Sequence, residues 1–401
     1  MRDARPTIDA PEIAAGPREL SYGRQSIDED DIRAVVEVLR SDRLTQGPWV
    51  ERFERALAGH CGAEHAVAVS SGTAALHLAA LAAGIRAGDL AVTTTNTFLA
   101  TANAVRYAGG DPVFLDIDPR TLNLDPDELR RFLEEDPDAG HVDAVLPVHF
   151  AGLPADMERI AALARRRGMA VIEDASHALG ASWRDRSGQW HRVGSCSHAD
   201  MAVFSFHPVK QVTTAEGGAV LTNDDGLARR LRELRSHGVV REPERMTRDD
   251  GPWYHEMHAL GFNYRISDVQ CALGLSQLAH LDDWVERRRE IVERYRAGLR
   301  GIPDVRFVRE DDRVRPAWHL FTVQVPDRKR VYLELRDRGI HTQVHYIPVH
   351  LQPYYRDLLG TEEGDCPHAE AYYRHALSLP LYPALADDDV DRVIAELLEV
   401  L

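Results

Sequence analysis

One lysine of this chain lies in a setting that suits covalent chemistry. Of the 48 lysine and arginine residues, only Lys210 and Lys329 are lysines. Lys329 lies in the charged run DRKR, where a solvated charge explains it, whereas Lys210 lies in FSFHPVKQVTTAEGGAV, among aromatic, β-branched and glycine residues. Burial there favours the neutral amine, the form that attacks a carbonyl group and forms a Schiff base. We therefore expect Lys210 to be a catalytic lysine.

Three further segments contain residues suited to a phosphorylated ring. In VSSGTAALHLAA, Gly72 and Thr73 follow a strand pattern and begin a helix, where N–H groups and a hydroxyl suit a phosphate. Taken alone, this segment is more often an ordinary helix cap. Ser205 ends a strand pattern five residues before Lys210, within reach of the same phosphate. Phe98, in TTTNTFLATANAV, is either a core aromatic or a residue that lies flat on the ring.

Asp174 and His177, in AVIEDASHALGA, follow a buried strand pattern. A carboxylate at a strand end is a natural partner for a protonated ring nitrogen. It would hold a pyridinium charged, which makes pyridoxal phosphate (PLP) an electron sink. The alternatives are a helix-capping aspartate and a structural histidine.

These residues follow a regular alternation of strand and helix patterns. Apolar strand patterns at 65–70, 90–94, 112–115, 144–148, 170–172, 202–206 and 219–222 are separated by helical patterns at 73–81, 98–108, 125–133 and 155–167. Such repetition predicts an α/β fold with a mainly parallel sheet covered by helices. In such folds the reactive groups collect at the carboxyl ends of the strands.

The pattern changes in the last third of the chain. A helical pattern without proline runs from Ser267 to Leu299 and is typical of a helix that links two domains; mixed strand and helix patterns follow. We therefore predict a polar N-terminal arm at 1–20, a large PLP-binding α/β domain at 21–265, and a linking helix with a small α+β C-terminal domain at 266–401.

Composition excludes several classes of protein. The net charge of −16 disfavours nucleic acid and anionic membranes as partners. The four cysteines are scattered, which argues against a disulfide framework or a zinc ribbon. Neither a signal-peptide pattern nor an apolar run of membrane-spanning length occurs. We expect a cytoplasmic protein with a small-molecule substrate.

The order of these motifs, each at a predicted strand end, is that of a fold-type-I PLP-dependent enzyme. From Ser21 to the C-terminus the chain resembles the DegT/DnrJ/StrS-type sugar aminotransferases. The segments that carry the resemblance are GRQSIDEDDI, LTQGP, SSGTAALH, TFLATANAV, VHFAGLPADM, EDASHALGA, FSFHPVK, LGFNYRISDVQ and SLPLYPAL.

The resemblance implies a role for each motif residue. Lys210 forms the Schiff base and shuttles protons, Asp174 holds the pyridine nitrogen, His177 lies near the phenolic oxygen, and Phe98 stacks on the ring. The residues implied for the phosphate are Gly72, Thr73 and Ser205, joined by Asn263 from the neighbouring subunit. A homodimer with shared active sites is therefore expected.

Within the family, the chain is most similar to the aminotransferases of the pseudaminic acid pathway. This implies amino transfer from L-glutamate, through pyridoxamine phosphate, to C4 of a UDP-2-acetamido-2,6-dideoxy-4-ketohexose. Another nucleotide ketosugar, such as a dTDP-linked one, and a non-catalytic PLP-binding regulator are the alternatives. Three features depart from the pattern of this subgroup. They are Ser71-Gly72-Thr73, which is the general family form, Ala215, where glycine is usual, and an insertion around RDRSGQWHR.

Further residues are candidates for the sugar nucleotide or the donor carboxylate, with surface or structural roles as alternatives. They are Arg24, Trp253, Tyr254, Arg265, His319 and His345. The run HTQVHYIPVH is β-branched and contains Pro348, so it is unsuited to a helical zinc pair, and we expect no metal. A nicotinamide oxidoreductase would need a Gly-x-Gly-x-x-Gly turn after the first strand, and none follows Val69.

Overall fold

The computed structural model describes residues 19–308 and 310–401, so the predicted arm lies almost wholly outside the described residues. The α-helices are α1 Glu29–Leu39, α2 Pro48–Cys61, α3 Gly72–Ala82, α4 Leu99–Ala108, α5 Pro126–Glu135, α6 Met157–Arg167, α7 Asp225–Arg235, α8 Asp268–Leu278, α9 Leu281–Leu299, α10 Arg328–Asp337, α11 Pro353–Leu359, α12 Pro367–His375 and α13 Asp387–Val400. The strands are β1 Leu20–Ser21, β2 His65–Val69, β3 Leu90–Thr94, β4 Asp111–Leu115, β5 Val142–Leu146, β6 Ala170–Asp174, β7 Ser182–Arg184, β8 Trp190–Arg192, β9 Met201–Ser205, β10 Gly218–Thr222, β11 Val239–Val240, β12 Glu256–Met257, β13 Arg306–Phe307, β14 Val314–Arg315, β15 Phe321–Gln324, β16 Ile340–His341 and β17 Ala376–Leu379.

A seven-stranded sheet forms the centre of the fold, in the order β2-β10-β9-β6-β5-β3-β4. Strand β10 runs antiparallel to β2 and β9, and the other neighbouring pairs are parallel. Alternate residues of each strand point to opposite faces. In β9, Ala202 and Phe204 join one hydrophobic cluster and Met201 and Val203 join another, so helices cover both faces. The predicted α/β class is confirmed.

A third hydrophobic cluster is built from the C-terminal part of the chain. It combines α9, α13 and the sheet β13-β15-β17, with Tyr295 and Phe321 stacked at 5.2 Å between ring centroids. Leu20 is also buried in this cluster, because β1 pairs in parallel with β16. The start of the described chain is therefore packed against its C-terminal third.

The predicted linking helix is two helices. Helix α8 ends at Leu278 and α9 begins at Leu281. Helix α8 packs against α1 and α2, whereas α9 packs against α13. One straight helix cannot face both partners, which explains the break. The domain limits stay a prediction, and we propose that α8 belongs with the large sheet and that the smaller unit begins within α9.

Two general features of the described residues concern the environment of the protein. No helix among them has the length and apolarity needed to cross a membrane. Cys61, Cys196, Cys271 and Cys366 are all buried with free thiols.

Ala215 has a left-handed backbone with φ of 65°. Its side chain is exposed, so the methyl group gains little from packing. We predict that Ala215→Gly raises the free energy of unfolding by about 0.5–1 kcal/mol, since relief of the left-handed strain exceeds the entropic cost of glycine. Thermal and urea unfolding of the apoenzyme measure the change.

A matched control is Ala162→Gly, because Ala162 is exposed in the middle of α6. There glycine should lower the free energy of unfolding by about 0.5–1 kcal/mol. Equal destabilisation by both substitutions would show that the φ of Ala215 carries no strain.

Candidate active site

A cleft of about 620 Å³ lies at the carboxyl ends of β2, β3, β6 and β9. Parallel strands end at the same edge of a sheet, and for this reason motifs far apart in sequence meet here. The C-terminal part of the chain supplies the opposite wall through residues 343–347, and Tyr22 reaches in from the segment after β1. The predicted residues that line the cleft are Gly72, Thr73, Phe98, His177, Ser205, Lys210, His319 and His345.

Lys210 is half-buried in the wall of the cleft, on the loop after β9. Its backbone N–H donates to the His207 carbonyl at 2.9 Å, which fixes the turn. Loss of hydration lowers the pKa of the Lys210 amine to about 8, and the negative charge of Asp174 opposes the shift. The amine therefore has a substantial neutral fraction just above neutral pH.

Asp174 lies at the end of β6 and is 5% exposed. One carboxylate oxygen accepts from the backbone N–H of Ser176 at 3.1 Å, and the other accepts from the Thr101 hydroxyl at 2.6 Å. Each oxygen thus has one protein donor and retains a lone pair for a further donor. This arrangement fits a protonated ring nitrogen.

The N-terminus of α3 meets the end of β9 at Gly72 and Ser205. A Cβ atom at Gly72 would lie 2.8 Å from the Cβ of Ser205, so only glycine permits this approach. The side chain of Ser71 caps the helix by accepting from Ala74 N–H at 3.1 Å. First-turn N–H groups have no partner within their helix. Gly72, Thr73 and Ser205 line the same cleft. The geometry suits a phosphate.

His177 faces the cleft in a neutral form. Burial and the charge of Lys210 hold the pKa of its imidazole well below the usual value. The Tyr346 hydroxyl lies 3.2 Å from Nε2, and the Gln211 side-chain amide donates to the His177 carbonyl. Nδ1 is buried and has no hydrogen-bond partner within the described part of the chain. A buried ring nitrogen of this kind fits a polar atom of a bound ligand.

His319 and His345 extend this neutral wall. The His319 and His177 ring centroids are 4.4 Å apart, and His345 Nδ1 lies 2.8 Å from Ser378 Oγ. Burial lowers the pKa of His345 to about 3 and also lowers that of His319. Both side chains therefore offer neutral hydrogen-bonding groups rather than positive charge.

The other predicted residues lie outside the cleft of this chain. Arg24 and Asn263 are exposed, and Trp253 is 75% exposed. The Tyr254 hydroxyl donates to Glu256 at 2.9 Å, away from the cleft. Arg265 forms an isolated backbone bridge with Val69, and its side chain does not line the cleft. One chain therefore does not bring these five residues to the lysine.

Histidines 341, 345 and 350 do not form a metal site. Their side chains face Glu19, Ser378 and Glu370 respectively. Across residues 19–308 and 310–401 no group of three or more potential ligands is placed to hold a metal ion.

Four residues of the site did not follow from the sequence motifs. They are Tyr22, Thr101, Gln211 and Tyr346. Thr101 lies three residues after Phe98, in the first turn of α4, but it is fully buried whereas Phe98 is 55% exposed, so their spacing did not indicate a shared site. Tyr22 and Tyr346 lie far in sequence from the residues that they approach in the cleft, so no local sequence pattern predicts these contacts.

The residues present fit a phosphorylated pyridine aldehyde. The half-buried amine suits the aldehyde carbon, the Asp174 carboxylate suits the ring nitrogen, and the buried Nδ1 of His177 suits a ring substituent. The glycine-lined helix N-terminus suits the phosphate.

Comparison with known proteins identifies the family. Residues 25–398 match the DegT/DnrJ/EryC1/StrS aminotransferase family. The spore coat polysaccharide biosynthesis protein SpsC of Bacillus subtilis is 41% identical over 391 residues, covering 95% of this chain and 97% of that protein.

Solved structures agree with this result. Helicobacter pylori PseC, an aminotransferase involved in the biosynthesis of pseudoaminic acid, superimposes with a TM-score of 0.87 at 30% identity, covering 96% of this chain and 99% of that one. The PLP form of the putative sugar aminotransferase Spr1654 of Streptococcus pneumoniae gives 0.85 at 27% identity, with coverage of 96% and 100%. The expected fold-type-I architecture and the PLP cofactor are confirmed. The chain is a PLP-dependent sugar aminotransferase and belongs to the DegT/DnrJ/EryC1/StrS family.

Proposed function

We propose that the protein transfers the amino group of L-glutamate to C4 of a UDP-2-acetamido-2,6-dideoxy-4-ketohexose, in a pathway of the pseudaminic acid type. The observation that carries amino transfer is the pKa of the Lys210 amine, which is lowered to about 8. The Asp174 carboxylate and a helix N-terminus suited to a phosphate belong to the same site. The similarity to PseC over nearly the whole chain supports the choice of sugar.

The geometry supports the proposed roles. The N-terminus of α3 and Ser205 would hold the phosphate, Asp174 would accept from the ring nitrogen, and Phe98 would cover one face of the ring. When bound, PLP supplies an electron sink that stabilises negative charge on the carbon that loses a proton. Lys210 Nζ would accept the α-proton of the donor and return a proton to the cofactor carbon on the other side of the transferred nitrogen, and the second half-reaction would reverse these transfers with the sugar.

A pKa near 8 suits Lys210 for both directions of transfer. An ordinary lysine, with a pKa near 10.4, has too little neutral amine at neutral pH to act as a base. With the value lowered to about 8, neutral and protonated forms coexist, so the same amine can accept and donate. General acid–base catalysis of this kind contributes about 10²–10⁴-fold in rate.

We propose a homodimer with shared active sites. Helix α1 presents Ile32, Val35, Val36 and Leu39 at helical spacing, with Ile32 47% and Leu39 57% exposed. Leu260, close to the exposed Asn263, is 80% exposed. An apolar stripe of this kind suits burial against a second copy. The partner subunit's Asn263 would then complete the phosphate site.

A regulatory role without turnover is the second candidate. The relative named pleiotropic regulatory protein, from Geobacillus stearothermophilus, is 36% identical and covers 95% of this chain and 97% of that protein. The lowered pKa of Lys210 favours catalysis, because a protein that only binds the cofactor has no need of a base.

The two lysines provide a matched test of the catalytic assignment. Wild-type protein with PLP should be yellow, and L-glutamate should convert the band to a shorter wavelength. Lys210→Ala and Lys210→Arg should lose at least 10³-fold in turnover, since neither supplies a neutral amine. Lys329→Ala should behave as wild type, because Lys329 is exposed in the first turn of α10.

The same assay separates the alternatives. UDP-2-acetamido-2,6-dideoxy-4-ketohexose should restore the yellow band of the glutamate-treated enzyme, and the dTDP-linked ketosugar should do so more slowly. The reverse order would move the assignment to a dTDP substrate. A yellow protein that ignores both glutamate and sugars would support the regulator.

The pKa of Lys210 predicts the pH dependence of cofactor loading. Only the neutral amine attacks the aldehyde, so the rate at which apoenzyme gains the yellow band should rise about tenfold per pH unit below 8 and level off above it. Stopped-flow absorbance at constant ionic strength measures the profile. A rate that still climbs steeply above pH 9 would indicate an ordinary lysine.

Hybrid dimers test the shared active site. We combine subunits carrying Lys210→Ala with subunits carrying Asn263→Asp, whose carboxylate repels the phosphate. Each parent should be nearly inactive, and random mixing should restore about a quarter of wild-type activity, since half of the dimers are hybrids with one intact site. No recovery in hybrids isolated by two affinity tags would contradict an Asn263 contribution across the interface.

A further inference from the structure

The hydroxyl of Thr101 makes a short contact with the Asp174 carboxylate. Thr101 is the third residue of α4 and has no exposed surface, and its Oγ1 lies 2.6 Å from Asp174 Oδ2. Hydrogen bonds to a charged carboxylate are shorter and stronger than those between neutral groups, and this distance lies in the charge-assisted range. The contact joins α4, after β3, to the end of β6.

Two other polar atoms also approach the Thr101 hydroxyl. Thr97 Oγ1 lies at 2.7 Å and the Phe98 carbonyl at 3.3 Å. A hydroxyl has one hydrogen to donate, and the charged oxygen at 2.6 Å is the nearest and strongest acceptor. Thr101 therefore donates to Asp174, and Thr97, which is 2% exposed, donates to Thr101. The result is a buried chain of two hydroxyls that ends on the carboxylate.

The two linked hydroxyls of Thr97 and Thr101 fix the direction of the carboxylate. Ser176 N–H occupies the other oxygen at 3.1 Å, so Thr101 decides how the carboxylate plane is turned about the Cβ–Cγ bond. Phe98 lies on the same turn as Thr101 and lines the cleft. One short segment thus places both a ring-facing aromatic side chain and the donor that orients Asp174. Consecutive hydrogen bonds polarise one another, which strengthens the chain.

We propose that Thr101, itself oriented by Thr97, is a positioning residue that holds the Asp174 carboxylate in the direction required by the ring nitrogen of PLP. The inference rests on the proposed role of Asp174. It adds that the geometry of the carboxylate, and so the affinity for PLP, depends on a hydroxyl that does not touch the cofactor.

The test measures PLP affinity and ring protonation in three variants. Thr101→Val removes the hydroxyl at nearly constant volume and should weaken PLP binding to the apoenzyme about tenfold, the value expected for a charge-assisted hydrogen bond. Thr101→Ser keeps the hydroxyl and should stay within about twofold of wild type. With PLP labelled at its ring nitrogen, ¹⁵N NMR should show a smaller protonated fraction in Thr101→Val than in Thr101→Ser.

Thr93→Val is the matched control. Thr93 is equally buried, and its hydroxyl donates to the Leu146 carbonyl at 2.9 Å, away from the cleft. It should lose stability without a change in PLP affinity or in the ¹⁵N signal. If Thr101→Val matches Thr93→Val in these two readouts, Thr101 has only a structural role and the inference is wrong.

Two further variants keep the outcomes distinct. Asp174→Asn should lose PLP affinity more than Thr101→Val, and an unchanged affinity would remove the proposed role of Asp174 itself. If Thr101→Val does not fold, Thr97→Val carries the test, with Thr97→Ser as its control because Thr97 also lines the cleft. We expect about threefold weaker PLP binding from Thr97→Val. An unchanged affinity would contradict the proposal that Thr97 orients Thr101.

Discussion

The burial of a lysine amine close to a buried carboxylate is the interaction on which the rest of the site depends. Loss of hydration lowers the pKa of Lys210 to about 8, and the charge of Asp174 limits the shift. Without the carboxylate the amine would be a weaker base, and without the burial it would be protonated at neutral pH. Asp174 ends β6 and Lys210 follows β9 by five residues. Because β6 and β9 are parallel neighbours, the sheet brings both segments to the same edge.

The neutral histidines of the cleft follow from the same constraint. His177, His319 and His345 all have lowered pKa values because they are buried, and the charge of Lys210 acts in the same direction. A protonated imidazole beside Lys210 would lower the pKa of the amine further and compete for Asp174. Neutral rings can instead hydrogen-bond a ligand without altering the charge balance between lysine and carboxylate. The positively polarised N-terminus of α3 then remains as the attractive element for a phosphate.

Much of the fold could be predicted because its signals are local. Each strand of the central sheet was placed within two residues at both ends, since apolar runs bounded by turn residues identify buried strands. The linking helix was predicted as one element because no proline or glycine pattern marks the break at Ala279 and His280. The break arises from two different packing partners, α1 with α2 for one helix and α13 for the other, and no window of sequence contains that information.

The sequence alone determined the chemistry: the single unexplained lysine, the aspartate at a strand end and the Gly-Thr helix start, because covalent reactivity and phosphate affinity depend on residue type and on the element that precedes it. Tertiary structure decided which groups act on these residues. Thr101 and Tyr346 meet Asp174 and His177 across 73 and 169 positions, and such pairings depend on strand order and domain packing. The exposure of Asn263 and Trp253 was likewise decided by packing, since burial is a property of the whole fold rather than of a local pattern.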